Sequence, residues 1–239
     1  MPQLFAGTSG WAYPSWKPDF YPQKLPQKKF LGHYATKLNT VEVNFTFRQL
    51  VKESTIQNWM QDTPSHFRFG VKAHQVITHI KRLKGTEDFL PRFLATIEPL
   101  AAAGKLGPVL FQLPPNLKMD AALLKDFLAI LPRAVPSAFE FRHDSWFSDS
   151  TWELLKSTGA ALCVAETETL TTPDVVTAPF VYYRFRKPSY SGEERQSMID
   201  RIRQHLASAR DVFAYFKHEE TPEGALYAVD LLREVSSAT

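Results

Sequence analysis

Read without any other information, the chain is a single α/β domain spanning residues 1–239, built as a (β/α)8 TIM-barrel-like fold. Three observations predict this. Strand-like segments alternate with helix-like ones along the whole length, strand starts recur about every 20 to 40 residues, and polar residues collect at the C-terminal ends of the strands. An open, doubly wound sheet is the alternative. It would need a GxGxxG or P-loop turn to bind a nucleotide, and neither occurs.

The elements follow in order. Leu4-Phe5-Ala6 runs as a strand into the small-residue turn Gly7-Thr8-Ser9-Gly10, followed by an aromatic loop with Trp11, Tyr13, Trp16, Phe20 and Tyr21. A helix is expected over 27–37. Thr40 to Phe47 alternates, which puts Val41, Val43, Phe45 and Phe47 on one face and Glu42, Asn44 and Thr46 on the other. After a helix over 52–61, Phe67 to His74 reads as a third strand with Lys72 and His74 on one face. Helical spacing of Phe89, Leu90, Phe93, Leu94, Ile97 and Leu100 gives the next helix, which Gly104 stops. Val109 to Leu113 is a near-continuous apolar strand ended by Pro114-Pro115, and Asp120 caps a helix carrying Leu123, Leu124, Phe127, Leu128 and Leu131.

The fifth strand, Ser137 to Arg142, places Phe139 and Phe141 on one face and Glu140 and Arg142 on the other, then runs into His143-Asp144-Ser145-Trp146. A helix over 151–157 and a strand over 160–165 follow. Residues 167–179 are rich in Thr and Pro without helical period, so the regular helix after the sixth strand is expected to be missing. The strand 180–186, a helix over 193–209, the strand 211–216 and a helix starting at Thr221-Pro222 complete the pattern, and the tail beyond Val235 is expected to fray.

Composition narrows the function classes. The net charge is only +3, from 28 Lys and Arg against 25 Asp and Glu, so attraction to nucleic acid or an anionic membrane is not dictated by bulk charge. The basic run Lys81-Arg82-Leu83-Lys84 with Arg184, Arg186 and Lys187 is a possible nucleic-acid stripe, or else ordinary solvated surface. Cys163 is the sole cysteine, which excludes an internal disulfide and suits a reducing compartment. No apolar run approaches the roughly 18 residues of a membrane span and no signal-like segment opens the chain, so a cytoplasmic location without membrane partners is expected.

In a barrel the strand ends converge on one mouth, where Glu42, Asn44, Lys72, His74, Gln112, Glu140, Arg142, His143, Glu166, Arg184, Arg186 and His218 would meet. A ring of satisfied ion pairs is the plainer reading of the same set. Lys72 is the leading candidate for a base or nucleophile, against an ion pair with Glu42 or Glu140. Glu140 reads as a general base or as the counter-ion of Arg142 or Lys72, and His143 as a further candidate catalytic group. Arg142 and Arg184 suit gripping a carboxylate or phosphate, unless Glu140 is the anion they hold. The turn at Gly7 to Gly10 cradles a phosphate or is simply tight. Trp11 and Trp146, with Tyr13 and Trp16, either shield a ligand or pack on one another. His33, His66 and His205 read as solvated.

The chain resembles the YecE-like family, a bacterial and archaeal domain of unknown function. The resemblance rests on Gly7-Thr8-Ser9-Gly10-Trp11 with Trp16, Val41 to Phe47, and Phe69-Gly70-Val71-Lys72-Ala73 with Thr78-His79. It continues through Lys105 to Pro115 and Glu140 to Trp146. A TIM-barrel-like fold is what it implies; no settled activity comes with it. Where many relatives continue the seventh strand as Tyr-x-Arg-x-His-Gly, this chain has Arg186 and Lys187 in place of the His and Gly. Phe216-Lys217-His218-Glu219 stands where an Asn-rich turn is common.

The expected function is an enzyme acting on a small anionic substrate, phosphate- or carboxylate-bearing, with no cofactor. Arg142 and Arg184 would hold the anion while Lys72 and Glu140 exchange protons. A metal-dependent phosphodiesterase resembling endonuclease IV is the alternative, with ligands drawn from His74, His79, Glu140, His143, Glu166 and His218, although Lys72, Arg142 and Arg184 would repel a cation there. A non-catalytic binding protein is the third reading. Whether the chain is an enzyme, and its oligomeric state, are left open by the sequence.

Overall fold

The computed structural model describes residues 1–166 and 170–236. Eight parallel strands form one sheet: β1 (Leu4–Thr8), β2 (Thr40–Val43), β3 (Arg68–Lys72), β4 (Leu106–Gln112), β5 (Ser137–Glu140), β6 (Ala161–Ala165), β7 (Phe180–Phe185) and β8 (Asp211–Phe216). From β2 to β8 each strand pairs with the next in sequence and β8 pairs with β1, so the sheet curls almost into a closed barrel whose open seam lies between β1 and β2. The helices are α1 (Phe30–Tyr34), α2 (Glu53–Gln61), α3 (Phe89–Ala102), α4 (Ala121–Ile130), α5 (Asp149–Thr158), α6 (Gly192–Ala207) and α7 (Glu223–Ser236). The expected (β/α)8 fold is thus present, and no membrane-spanning helix occurs among the described residues.

Side-chain caps start three of the helices, and the sequence marks the one at Asp120. Asp120 accepts from Leu123 N, Ser148 accepts from Thr151 N, and Ser191 forms a reciprocal capping box with Glu194. Between β6 and β7 residues 170–179 are without a helix, as expected; residues 167–169 of that predicted loop lie outside the described residues, as do 237–239 of the tail. Two threonines hold this crossing against the sheet. Thr177 donates to Ala160 O and accepts from Leu162 N, and Thr172 donates to Ala165 O.

The seam between β1 and β2 is closed by side chains instead of a backbone ladder. Asn39 accepts from Ala6 N and donates to Leu4 O, while Tyr34 accepts from Thr8 N and donates to Thr40 O. Only at the mouth do backbones meet, where Gly10 N donates to Glu42 O. Such substitution keeps the edge groups of both strands satisfied. It also brings the strands so close at Gly7 that a Cβ there would stand 2.0 Å from Thr40 O. Gly7→Ala is therefore expected to cost about 1–3 kcal/mol, read from urea unfolding, because backbone must shift to admit one methyl group.

Inside the barrel the layers change character along the axis. Phe5, Phe180 and Phe213 fill the N-terminal end, with Phe5 stacked on Phe213 at 4.6 Å. Leu110, Ala138, Cys163, Tyr182 and Tyr215 form the middle. Small residues on β5 and β6 leave room for the two tyrosines, whose rings lie 5.1 Å apart. Above them the interior becomes ionic. The other strand faces pack on the helices in a separate, larger apolar shell.

Two strands stop earlier than their alternation predicts. β2 ends at Val43 because the chain curls into a 3-10 turn, Phe45–Phe47, with Thr46 Oγ1 donating to both Val43 O and Lys72 O. Asn44 therefore leaves the inner face, and Phe47 loses the outward phase the alternation gave it. β3 likewise ends at Lys72, so His74 stands beyond the strand. The predicted first helix is mostly a 3-10 turn, Gln27–Lys29, leading into the short α1.

Candidate functional site

The ionic layer is organised by Arg184 of β7. Its guanidinium bridges two carboxylates, Nη2 to Glu42 Oε1 and Nη1 to Glu140 Oε2, both at 2.6 Å, and all three side chains are buried. Each carboxylate has further donors. Ser9 Oγ and Tyr182 OH bond Glu42 at 2.7 Å each; Gln112 Nε2 bonds both oxygens of Glu140 at 2.9 Å, and Arg186 Nη2 bonds Glu140 at 2.7 Å. A buried charge is tolerable only when paired and hydrogen-bonded to this degree. The anion that Arg184 requires is therefore internal, and the expectation that it grips a ligand is corrected: both Nη atoms are taken.

This pairing also settles what the carboxylates can do. Although burial opposes ionisation, Arg184 and Arg186 hold the Glu140 carboxyl down to about 2, and Arg184 with its hydrogen bonds holds Glu42 below the usual range. Glu140 is thus a very weak base near neutral pH, contrary to the acid-base role expected for it, and its partners are Arg184 and Arg186 instead of Arg142 or Lys72. For a depressed carboxyl the stabilisation is complete above its unfolded value near 4.5 and is lost as pH falls toward about 2. Urea midpoints are accordingly expected to fall across that window, and less steeply in Glu140→Gln, where the titrating group is gone.

Lys72, at the end of β3, stands apart from the pairing. Its Nζ lies 4.2 Å from the centroid of the Phe47 ring, and among the described residues it has no carboxylate at ion-pairing distance. The sequence reading offered an ion pair with Glu42 or Glu140 as the plain role; both carboxylates are engaged elsewhere. Burial, then the positive charge of Arg184 and, more weakly, of Arg186, lower its ammonium to about 8, while Glu42 and Glu140 work in the opposite direction. His79, in the π-helical turn Val76–Ile80 that follows β3, meets the same Phe47 ring at right angles, 4.9 Å between centroids. Burial and the charges of Lys72 and Arg142 hold its imidazole below the ordinary value. Arg142, half-buried beyond β5, has no hydrogen bond or ion pair among the described residues. It lines an open cleft of about 910 Å³ with Glu166, Arg186, Lys217, His218 and Tyr227, to which Glu219, Glu220 and Glu223 also contribute.

The remaining predicted site residues have structural employment. His74 is buried, its Nδ1 accepting from Val76 N, its ring 5.0 Å from Phe89 of α3, so it fixes the turn after β3 and is not a mouth group. Asn44 stays half-buried at the start of the 3-10 turn Phe45–Phe47, its Oδ1 without a partner among the described residues. His143 Nδ1 accepts from Ser145 N and lies 3.0 Å from the Asp144 carboxylate, capping a 3-10 turn. Trp146 is fully buried, stacked on Phe141 at 4.6 Å with Nε1 donating to Leu117 O, and Trp11 packs edge-on against Trp59 of α2. Neither tryptophan shields the mouth. The N–H groups of Thr8, Ser9 and Gly10 are all bonded within the protein, so that turn is tight and offers no phosphate cradle.

Other expectations are corrected in the same way. His205 is not a solvated residue, since its Nε2 lies 2.8 Å from Tyr183 OH. Two residues of the basic stripe are engaged within the protein: Arg184 is buried in the ionic layer and Lys187 pairs with Glu194 at 2.7 Å. The metal ligands foreseen for a phosphodiesterase are scattered, and among the described residues no three His, Cys, Asp or Glu side chains assemble into a group that could hold a metal ion. Four groups of this region escaped the sequence reading. Tyr182 could have been found, since it shares the inner face of β7 with Arg184 at a spacing of two. Ser9 appeared only as part of a turn, His79 only as a possible metal ligand, and Phe47 was assigned to the outer face by a strand pattern that runs past the real strand end.

Comparison with known proteins agrees with the fold. The chain is 30% identical over 146 residues to the UPF0759 protein YecE of Escherichia coli K12, a match covering 61% of this chain and 50% of that protein. The matched stretch thus spans about half the length of this curated relative. A crystal structure of a DUF72 family protein, TM1631 of Thermotoga maritima, is 25% identical and superposes with a TM-score of 0.84, covering 98% of this chain and 99% of the other. An AP endonuclease, family 2, from Brucella melitensis superposes with a TM-score of 0.56 at 9% identity over 98% of this chain and 99% of its own, a likeness of fold alone. The model of the family described as protein of unknown function DUF72 matches residues 5–239, and the chain therefore belongs to this YecE-like family.

Proposed function

We propose that the protein is an enzyme acting on a small anionic substrate at the C-terminal mouth of the barrel, with Arg142 holding the anion and Lys72 exchanging the proton. The supporting observation is the division of the charged groups into two sets. Glu42, Glu140, Arg184 and Arg186 satisfy one another, whereas Lys72 and Arg142 have no carboxylate partner among the described residues. Paired groups build a fixed, charge-balanced floor; unpaired cations above it attract an anion and cost little to reorganise when it arrives. An amine lowered to about 8 is part neutral at ordinary pH and can take up a proton or return one. His79, neutral under the same cations, is the second group able to carry protons, the role the sequence reading had given to Glu140.

Thermal denaturation against a panel of inorganic phosphate, phosphomonoesters and short carboxylates tests this reading. At least one anion is expected to raise the melting temperature, since saturation at about 100 times Kd adds about 2.7 kcal/mol. Arg142→Gln should remove that shift while leaving the unliganded melting temperature within a few degrees. A shift of equal size in Arg142→Gln, or none with any anion in the panel, would overturn it.

A further inference from the structure

The mouth raises a question of electron flow as well as proton flow. Glu42 and Glu140 are locked into guanidinium pairs, whereas Lys72, at the end of β3, is a primary amine lying on an aromatic face with no carboxylate partner among the described residues. From this geometry we infer that Lys72 forms a Schiff base with a carbonyl compound that carries an anionic group, a 2-oxo acid or phosphorylated aldehyde being the fitting class. The inference deepens the function proposed above and rests on it, taking Arg142 as the anion's partner.

The step balances without any further reagent. The lone pair of the neutral Lys72 Nζ attacks the carbonyl carbon, and the carbonyl π electrons move onto oxygen to give a carbinolamine after proton transfer. The C–O bond then breaks as the nitrogen lone pair closes the C=N bond, and the oxygen leaves with both amine hydrogens as water. His79 is placed to ferry the proton. Its Nδ1 lies 2.9 Å from Thr78 Oγ1, and it shares the Phe47 ring with Lys72, while Nε2 has no partner among the described residues. A protonated imine would rest on the same Phe47 face that the ammonium occupies, favoured by the ring quadrupole. It would also serve as an electron sink for a carbanion formed next to it, work that the tied carboxylates cannot do.

Three features of the site favour this over simple base catalysis. A lysine base is normally aimed by a hydrogen-bond acceptor, and Lys72 has none among the described residues. Two cations at the end of β7, Arg184 and Arg186, suppress its protonation, so that the neutral amine needed for attack is present near neutral pH. The floor beneath carries no free nucleophile to compete, since Cys163 is fully buried below the ionic layer.

Glyoxylate, as the anionic probe, and acetaldehyde, as a neutral one, are each incubated with the intact protein near neutral pH. Cyanoborohydride then reduces any imine, and the modified lysines are mapped by mass spectrometry. Lys72 is expected to be labelled by glyoxylate on the order of tenfold or more faster than surface lysines, as its larger free-amine fraction allows. In Arg142→Gln the glyoxylate advantage over acetaldehyde should disappear while labelling by acetaldehyde persists. Labelling of Lys72 no faster than that of surface lysines would overturn the Schiff base. If anion-induced stabilisation is nevertheless seen, the proton-transfer reading stands without it; if both fail, both fall. Because the wild-type map alone decides the main point, no variant has to fold for the proposal to be refuted.

Discussion

Arg184→Met is expected to destabilise the protein by about 3–5 kcal/mol. The reason is electrostatic. Removing the guanidinium leaves Glu42 fully buried with only Ser9 and Tyr182 as donors, and takes from Glu140 one of its two arginines. Methionine fills much of the volume, so the loss reads as uncompensated charge and not as a cavity. The companion variant separates the two: adding Glu42→Gln to Arg184→Met should recover part of the loss, whereas Glu42→Gln alone should destabilise. Urea unfolding of the four proteins in the cycle measures the coupling directly. If Arg184→Met were as stable as the parent, the ionic layer would not be the closed unit described above.

Lys72→Met, at the end of β3 across the barrel, should behave in the opposite sense. In the folded chain the amine is lowered to about 8 against an ordinary value of 10.5, so the unfolded chain binds more protons between those values. Stability contributed by this group therefore rises with pH through that window, and at neutral pH its buried charge is a burden. Arg184, Arg186 and His79 surround it as cations or latent cations, Glu42 and Glu140 as anions, and the two anions are spoken for. Lys72→Met is thus expected to leave the urea midpoint unchanged or raise it. Turnover of whichever substrate the anion panel returns should fall on the order of 10²–10⁴-fold, the usual contribution of a positioned proton-transfer group. A variant that loses stability with its activity would mark Lys72 as structural.

The barrel was legible because its evidence is repeated: eight strand-like segments interleaved with helical periods, a capped helix at Asp120, and the Thr- and Pro-rich stretch that replaces a helix before β7. Inner-face assignments held wherever the strand was truly extended, as for Glu42, Glu140 and Arg184. They failed past strand ends, at Asn44, Phe47 and His74, because alternation in sequence persists after the backbone has turned and nothing local marks Thr46 as the residue that turns it. Trp146 and His143 failed differently. Aromatic and imidazole groups serve packing and capping as readily as chemistry, and only contacts such as Trp146 to Leu117 distinguish the two. Which arginine meets which carboxylate was likewise beyond composition, since Arg142, Arg184 and Arg186 look alike until the register sets Arg184 between β2 and β5 across the barrel.

The Lys72 amine is the group on which the chemistry at the mouth depends. Selective isotope labelling of the lysine methylene groups, or competitive acylation mapped by mass spectrometry across a pH series, gives the titration midpoint of Lys72 in the native protein. A midpoint near 8 is the predicted result, and it should move upward in Arg186→Gln, where one neighbouring cation is removed. A midpoint at the ordinary lysine value of about 10.4 would contradict the account, because it would mean that Lys72 is as well solvated or as well paired as any surface lysine.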